Sequence, residues 1–419
     1  MRTRIAVCLF VASVLLAATA DADVVTDWNS AALDAIRSGR TPPPAASRAL
    51  AMLHAAIYDA VNGITRTHGS YRVASAVPRS ASLESAAAAA AHTVLVAVFP
   101  DHADVFDALY VTGIAAIPDG PHKNAGVSWG ERVGTEIVRW RSNDDSAVTI
   151  SPPNGDGAGS WQPTPPAYLP YQLPQWAFVE PFAIPASSYV RPAGPPAITS
   201  TRYAADYNEV KAFGAAVGSS RTPVQDEIAL FWADATGTET PPGHWNSIAQ
   251  NVARQSGNTL EQDARLFALL NLAMADAAIA AWDAKYVFAN WRPVTAIRNG
   301  DGDGNAGTAG DPTWSSFIVT PPFPDYVSGH STFSAAAATV LALFYGSDAV
   351  AFATGSDFLP GVSHSFSSFS AAASEAAVSR LFAGIHFRFA IEDGLTAGVE
   401  IGEWTFTHYM TAKGNRSRN

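Results

Sequence analysis

The stretch "FPDYVSGHSTFSAAAATVLALF" occupies Phe323–Phe344 and sets Ser-Gly-His at the mouth of an alanine-rich helix. Alanine is the best helix former, so the segment from Ser331 to Phe344 is expected to be helical. An ordinary N-cap needs neither the glycine nor the histidine. Gly329 lets a backbone approach a ligand closely, while the free N–H groups and positive dipole end of the helix attract an anion. Ser328 adds a hydroxyl donor, and His330 is able to move a proton near neutral pH. Taken alone, the motif is equally a serine cap followed by a surface histidine.

Helical periodicity extends outward from this stretch in both directions. "SRALAMLHAAIYDAVNGI" (Ser47 to Ile64) and "SLESAAAAAAHTVLVAVF" (Ser82 to Phe99) predict helices. Thr222 and Pro223 form a capped helix start before "VQDEIALFWAD", followed by "HWNSIAQNVARQ" and a long helical segment from Leu260 to Asn290. The last third adds Phe369–Phe387 and Ile391–Met410. Between Ser142 and Ser200 the pattern gives way to Pro, Gly and aromatics, which predicts a long ordered loop whose rings pack on the rest. No alternating strand of convincing length and no repeat stands out. The expected fold is all-α, antiparallel helical bundles with that loop between the halves. The expected division is a signal peptide over 1–22, an N-terminal helical region over 23–200, and a C-terminal helical domain over 201–419.

The chain opens with Arg2 and Arg4, then an apolar run, then small residues at Ala20 and Ala22. This is the pattern of a secretory signal, so the protein is expected to be secreted or periplasmic. No later stretch reaches about 18 uncharged apolar residues, and no membrane span is expected. The single cysteine, Cys8, falls inside the leader, so the mature chain has no thiol for a disulfide. Without residues 1–22 there remain 24 basic against 36 acidic residues, a formal charge of −12. An acidic surface argues against nucleic acid as partner and makes any local basic cluster conspicuous.

Two such clusters flank the quoted stretch. "KYVFANWRP" places Lys285 and Arg292 seven residues apart, on one face of a helix that Pro293 would end. Lysine and arginine on a helix are usually a solvated stripe, but these two stand among apolar residues. "SRLFAGIHF" places Arg380 and His386 six residues apart in a helical segment, roughly 120° around it. A lone histidine there is ordinarily a hydrogen-bonded core residue.

In that order, Lys-x6-Arg-Pro, Ser-Gly-His and Ser-Arg-x5-His resemble the signature of the vanadium-dependent haloperoxidase and type 2 phosphatidic acid phosphatase superfamily. "TPPFPDYVSGHSTFS" and "GIHFRF" are similar to its fungal and bacterial chloroperoxidase branch, and "RTPVQDEIALFW" with "PPGHWNSIAQ" to secreted bacterial members. The resemblance implies that Lys285, Arg292 and Arg380 cradle the oxygens of an oxyanion, with Ser328 and the Gly329 amide donating further bonds. His386 would bind the central atom and His330 would be the acid–base group. The implied cofactor is vanadate, and phosphate, a near-isostere, would occupy the same site. The implied reaction is oxidation of a halide, chloride or bromide, by hydrogen peroxide, with a small organic acceptor. The alternative is an acid phosphatase that attacks a phosphomonoester through His386.

Trp282 and Phe323 match aromatic positions that line the halide pocket of the chloroperoxidases, and an apolar wall would favour halide oxidation. Three methionines and no cysteine in the mature chain suit a protein working beside a strong oxidant. Departures from the family pattern also stand in the sequence. The Asp expected four residues after the ligand histidine is Ala390, with Asp393 a turn later, and Val327 replaces the usual Pro before Ser-Gly-His. The carboxylate expected to pair with Arg380 is Asp226, with Glu227 second. "NGDGDGNAGTAGD" (Asn299 to Asp311) resembles a calcium loop, but its twelfth position is Gly310 and not the bidentate Glu, so a solvated turn is expected.

Overall fold

Helix starts are written plainly into this chain. In the computed structural model, which describes residues 23–74, 77–151 and 155–414, the helices α1 (Val24–Ser38), α3 (Leu83–Val98), α6 (Thr201–Phe213), α7 (Pro223–Phe231), α9 (Leu260–Phe288), α11 (Gly329–Tyr345) and α12 (Phe369–Phe382) each begin behind an Asp, Ser or Thr whose side chain accepts a first-turn amide. Such a cap is worth about 1 kcal/mol. The others are α2 (Pro43–Thr65), α4 (Ala103–Ala116), α5 (Pro121–Arg141), α8 (Thr240–Ser256), α10 (Pro293–Arg298) and α13 (Arg388–His408). The fold is all-α. The one sheet among the described residues is a hairpin of β1 (Phe352–Gly355) and β2 (Ser363–Phe366), whose four-residue strands are too short to announce themselves by alternation. The leader expected over 1–22, with Cys8, lies outside the described residues.

The closest helix pairs have one design, used twice. In α5, Gly126, Gly130 and Gly134 face the alanine run of α3; in α13, Gly394, Gly398 and Gly402 face α11. A Cβ on Gly130 would stand 2.2 Å from the Ala86 carbonyl, and one on Gly398 2.4 Å from that of Thr332. Side chains are excluded there, so the backbones approach closely. Between these pairs runs α9, packed on α2 on one side and on α11 and α13 on the other. By length and composition α9 could cross a bilayer, but it is buried among the other helices.

Residues 142–200 form the long loop, interrupted only by a short turn at Pro174–Phe178 in the described part. It is tied to α9 by Asp276, which accepts the amides of Phe182, Ala183 and Ile184 at 2.6–2.7 Å, and by Asp283, which pairs with Arg191 at 2.5 Å. Burial pushes the Asp276 carboxyl up, against the three amides, to about 6.

Two helix boundaries differ from expectation. The long segment ends at Phe288, with Ala289 left-handed, and Pro293 opens α10 instead of closing the helix before it. Lys285 and Arg292 therefore do not share a helix face; Arg292 is the N-cap of α10. Likewise α12 ends at Phe382 and Gly384 turns the chain at φ +77°, so His386 lies in a connection and not six residues along the helix of Arg380.

Candidate active site

The loop from Phe323 to Ser328 is the floor of the site, and Lys285 holds it from beneath. The Lys285 ammonium donates to the carbonyls of Pro324 and Asp325 at 3.0 Å each, and to that of Val327. Those three bonds use every proton it has. Burial, with Arg292 nearby, holds its pKa well below the usual lysine range. At the loop's end Ser328 caps α11, and the amides of Gly329 and His330 open the helix, where no intrahelical carbonyl is available to them. A Cβ on Gly329 would meet only the Trp282 and Phe333 rings, at 3.6 and 3.9 Å. Protein packing alone does not require glycine here.

His386 is fixed from both sides. Its Nδ1 stands 2.8 Å from Asp325 Oδ1, and its Nε2 stands 3.1 Å from Arg292 Nη1. A carboxylate accepts and a guanidinium donates, so Nδ1 carries the proton and Nε2 presents its lone pair. Burial first, then the charges of Arg292, Lys285, Arg380 and His330, keeps this imidazole neutral. Burial pushes the Asp325 carboxyl up to about 7, while Arg292 and Lys285 pull it down. Each of its partners, His386, Asn290 and the Phe387 amide, donates, and the pocket is built for the ionised form. The group orienting His386 is thus Asp325; Ala390 is an apolar core residue, and Asp393 accepts instead from the Tyr326 hydroxyl at 2.6 Å.

Arg292 also donates from Nε to Phe323 O and from Nη1 to Ile385 O, both at 2.7 Å, while Nη2 finds no partner. Arg380 donates from Nη1 to the Trp232 carbonyl at 2.7 Å, and its Nε finds none. Burial lowers both guanidiniums to about 10, so both remain charged. The carboxylate acting on Arg380 is Asp234, not Asp226 or Glu227. Asp226 is taken by Arg221 at 2.7 Å, and Glu227 faces His364 at 3.3 Å, because α7 turns both outward. His330 bonds to the backbone of Trp232 and Ala233, and its Nε2 is unpartnered. Burial and the charge of Arg380 hold it neutral, well below the usual histidine value.

The Trp282 and Phe323 rings meet at 5.0 Å beside these groups, with Lys285 Nζ and Arg292 Cζ 5.1 and 4.8 Å from the Phe323 centroid. The Gln172 carbonyl of the long loop accepts from Trp282 Nε1 and from the Tyr286 hydroxyl, at 3.3 and 2.6 Å. The loop therefore covers this aromatic wall. The 299–311 segment takes no part: Asp301 accepts the Gly310 amide, and Asp303 the Asn305 amide and Thr308 hydroxyl. No group of three or more His, Cys, Asp or Glu suited to a metal occurs among the described residues.

Three buried basic side chains stand with two carboxylates; Arg292 Nη2, Arg380 Nε and His330 Nε2 have no partners, and the charges of all three residues act on His386. Uncompensated buried positive charge costs several kcal/mol, and an anion of tetrahedral oxygens would offset it. The donor set fits vanadate or phosphate: guanidinium N–H groups for oxygens, a helix N-terminus for charge, and a neutral imidazole nitrogen for the central atom.

Fold and site together describe an all-α protein whose buried donor set fits an oxyanion. Residues 265–414 match the family model of the VCPO second helical-bundle domain. Vanadium chloroperoxidase of Curvularia inaequalis is 31% identical over 182 residues, covering 36% of this chain and 29% of that protein, so under a third of that curated relative's length is matched. The crystal structure of the first bacterial vanadium-dependent iodoperoxidase is similar with a TM-score of 0.81 at 29% identity, over 93% of this chain and 97% of that one. A holo-type bacterial vanadium-dependent chloroperoxidase gives 0.70 at 19% identity, over 88% and 92%, a likeness of fold. Over residues 265–414 the chain thus carries the helical-bundle domain of the vanadium chloroperoxidase family model, and in sequence and fold it resembles the vanadium-dependent haloperoxidases.

Proposed function

We propose that the protein is a vanadate-dependent haloperoxidase, which uses hydrogen peroxide to oxidise a halide to hypohalous acid that then reacts with a small organic acceptor. The observation that carries this is the excess of buried cation around a neutral His386, with two guanidinium nitrogens and His330 Nε2 left unpartnered. Similarity to a protein described as an iodoperoxidase adds iodide to chloride and bromide as halides to test first.

In this assignment His386 Nε2 would turn its lone pair from Arg292 Nη1 to the vanadium, while Asp325 fixes the ring and its tautomer. Arg292 Nη2, Arg380 Nε, the Ser328 hydroxyl and the Gly329 amide hold oxygens. Lys285 contributes charge and tightens the loop, and reaches an oxygen only by sharing one of its three bonds. Bound vanadate supplies a Lewis-acid centre that makes peroxide electrophilic toward halide, without a change of oxidation state. His330, whose other nitrogen leans on the Trp232–Ala233 backbone, takes a proton from peroxide at Nε2 and returns it to the product. Trp282 and Phe323 keep the halide poorly hydrated. Export through the leader at 1–22, to a secreted or periplasmic location, belongs to the same proposal, as does phosphate as a competitor for the cradle.

The test is halide-dependent halogenation of phenol red or monochlorodimedone by protein freed of phosphate and loaded with orthovanadate. Activity needing both peroxide and vanadate is the expected result. Vanadate-sensitive phosphomonoester hydrolysis with no halogenation of any halide would move the protein to the phosphatases.

A further inference from the structure

Both Arg380 and His330 rest on one short segment after α7, Trp232 to Asp234. Asp234 is buried and held at φ +42°, a conformation that a non-glycine residue keeps only when its surroundings impose it. The Asp234 side chain is met there by His244, 1% exposed on the first turns of α8. Its Nδ1 lies 3.2 and 3.4 Å from the two oxygens of Asp234. Its ring stacks on Trp232 with centroids 4.5 Å apart at 25°, and its Nε2 lies 3.2 Å from Thr354 Oγ1 of β1. One imidazole thus grips both ends of the three-residue segment.

The electrostatics run the same way. Asp234 acts on two groups, Arg380 and His244. Burial would lower the His244 pKa, but Asp234, Glu239 and Asp357 outweigh it and raise the value. Arg37 of α1 bridges Glu239 and Asp357 at 2.6 and 2.7 Å, which closes the cluster on its outer side. A carboxylate shared with His244 leaves Arg380 less completely neutralised, and so more able to attract an anion. Thr354 passes the chain of bonds on to Gly355 O at 3.4 Å.

We propose that His244 is a positioning residue of the oxyanion cradle: by clamping the Asp234 carboxylate and the Trp232 ring, it fixes the backbone on which Arg380 and His330 lean and keeps Asp234 from closing onto Arg380. The proposal rests on the oxyanion assignment above, and it extends that assignment to a residue that touches neither the anion nor the halide.

The experiment measures vanadate affinity, by equilibrium dialysis with elemental analysis, beside thermal melting for the wild type, His244→Phe, His244→Asn and Thr354→Val. Phenylalanine keeps the stack on Trp232 and loses both nitrogens; asparagine keeps a donor near the Nδ1 position and loses the stack. Outer-shell partners of this kind are worth roughly 10–100-fold in affinity. His244→Phe should weaken vanadate binding by that amount, His244→Asn should recover most of the loss, and Thr354→Val should cause a smaller loss in the same direction. Wild-type affinity in a folded His244→Phe, or an Asn variant as impaired as the Phe variant, would overturn the proposal. If His244→Phe does not fold, the near-isosteric Thr354→Val decides alone, and unchanged affinity there would overturn it. A wild type that binds no vanadate would remove the oxyanion site itself and the role of His244 with it, an outcome distinct from variants that bind unchanged.

Discussion

Replacing Asp325 with asparagine separates two effects of opposite sign. Asp325 Oδ1 accepts the Nδ1 proton of His386 at 2.8 Å, and Oδ2 faces the amide of Asn290 at 3.3 Å. An asparagine there keeps one acceptor and sets its NH₂ against another donor, so the ring of His386 loses its fixed orientation or its tautomer. Loss of such a partner costs roughly 10–100-fold in metal affinity, about 1.4–2.7 kcal/mol. The same substitution removes a buried negative charge from beside Lys285 and Arg292, which strengthens attraction for any anion. Phosphate, held by charge and N–H groups alone, should keep or gain affinity. Vanadate, which also needs the lone pair of His386, should lose ground against it by roughly 10–100-fold. The assay is displacement of bound vanadate by phosphate at fixed pH, followed by elemental analysis, in wild type and Asp325→Asn. Parallel shifts of the two affinities would refute the role of Asp325 in orienting His386.

His386→Ala should abolish vanadium retention with the helical circular dichroism intact, since Arg292 and Asp325 are left facing each other across the gap; a collapsed spectrum would make His386 a core anchor. His330→Ala should retain vanadate but turn over about 10²–10⁴-fold more slowly, and an unchanged rate would remove it from the mechanism. For Asp276 the folded pKa of about 6 lies above the usual 3.8, so the stability it contributes is full below about pH 4 and is lost as pH rises through 6. The advantage of wild type over Asp276→Asn in urea unfolding should therefore shrink over that range, by on the order of 3 kcal/mol; an advantage that grows would show that the three amides outweigh burial.

Much of the fold was legible because its helix starts are local chemistry. Thr222 with Gln225 and Thr259 with Gln262 form capping boxes, and Ser328 and Ser368 cap their helices from the side chain. Helix ends were less legible. Gly384 at φ +77° carries a recognisable stop signal inside "LFAGIHF", but Ala289, left-handed after Phe288, carries none. The two glycine stripes were visible at i, i+4 and i+8, yet their meaning depends on the alanine helix opposite each, which periodicity within one helix does not give.

The three basic and histidine motifs could be read along the chain because each is contiguous. Their supports could not. Asp325 lies inside the quoted stretch but 61 residues from His386, and sequence proximity pointed to Ala390 and Asp393 instead. Asp234 reaches Arg380 from 146 positions earlier, while Asp226 looked equally eligible until the direction of α7 was known.

The most direct test of the central claim is competition between the two oxyanions for one cradle. Protein prepared in phosphate should be inactive as a peroxidase, gain halogenation as phosphate is exchanged for orthovanadate, and lose it again when millimolar phosphate is restored. Bound vanadium should rise and fall in step with the activity. Halogenation that is indifferent to phosphate, or vanadium that stays bound while activity disappears, would contradict a single site built from Arg292, Arg380, His330, His386 and the α11 N-terminus.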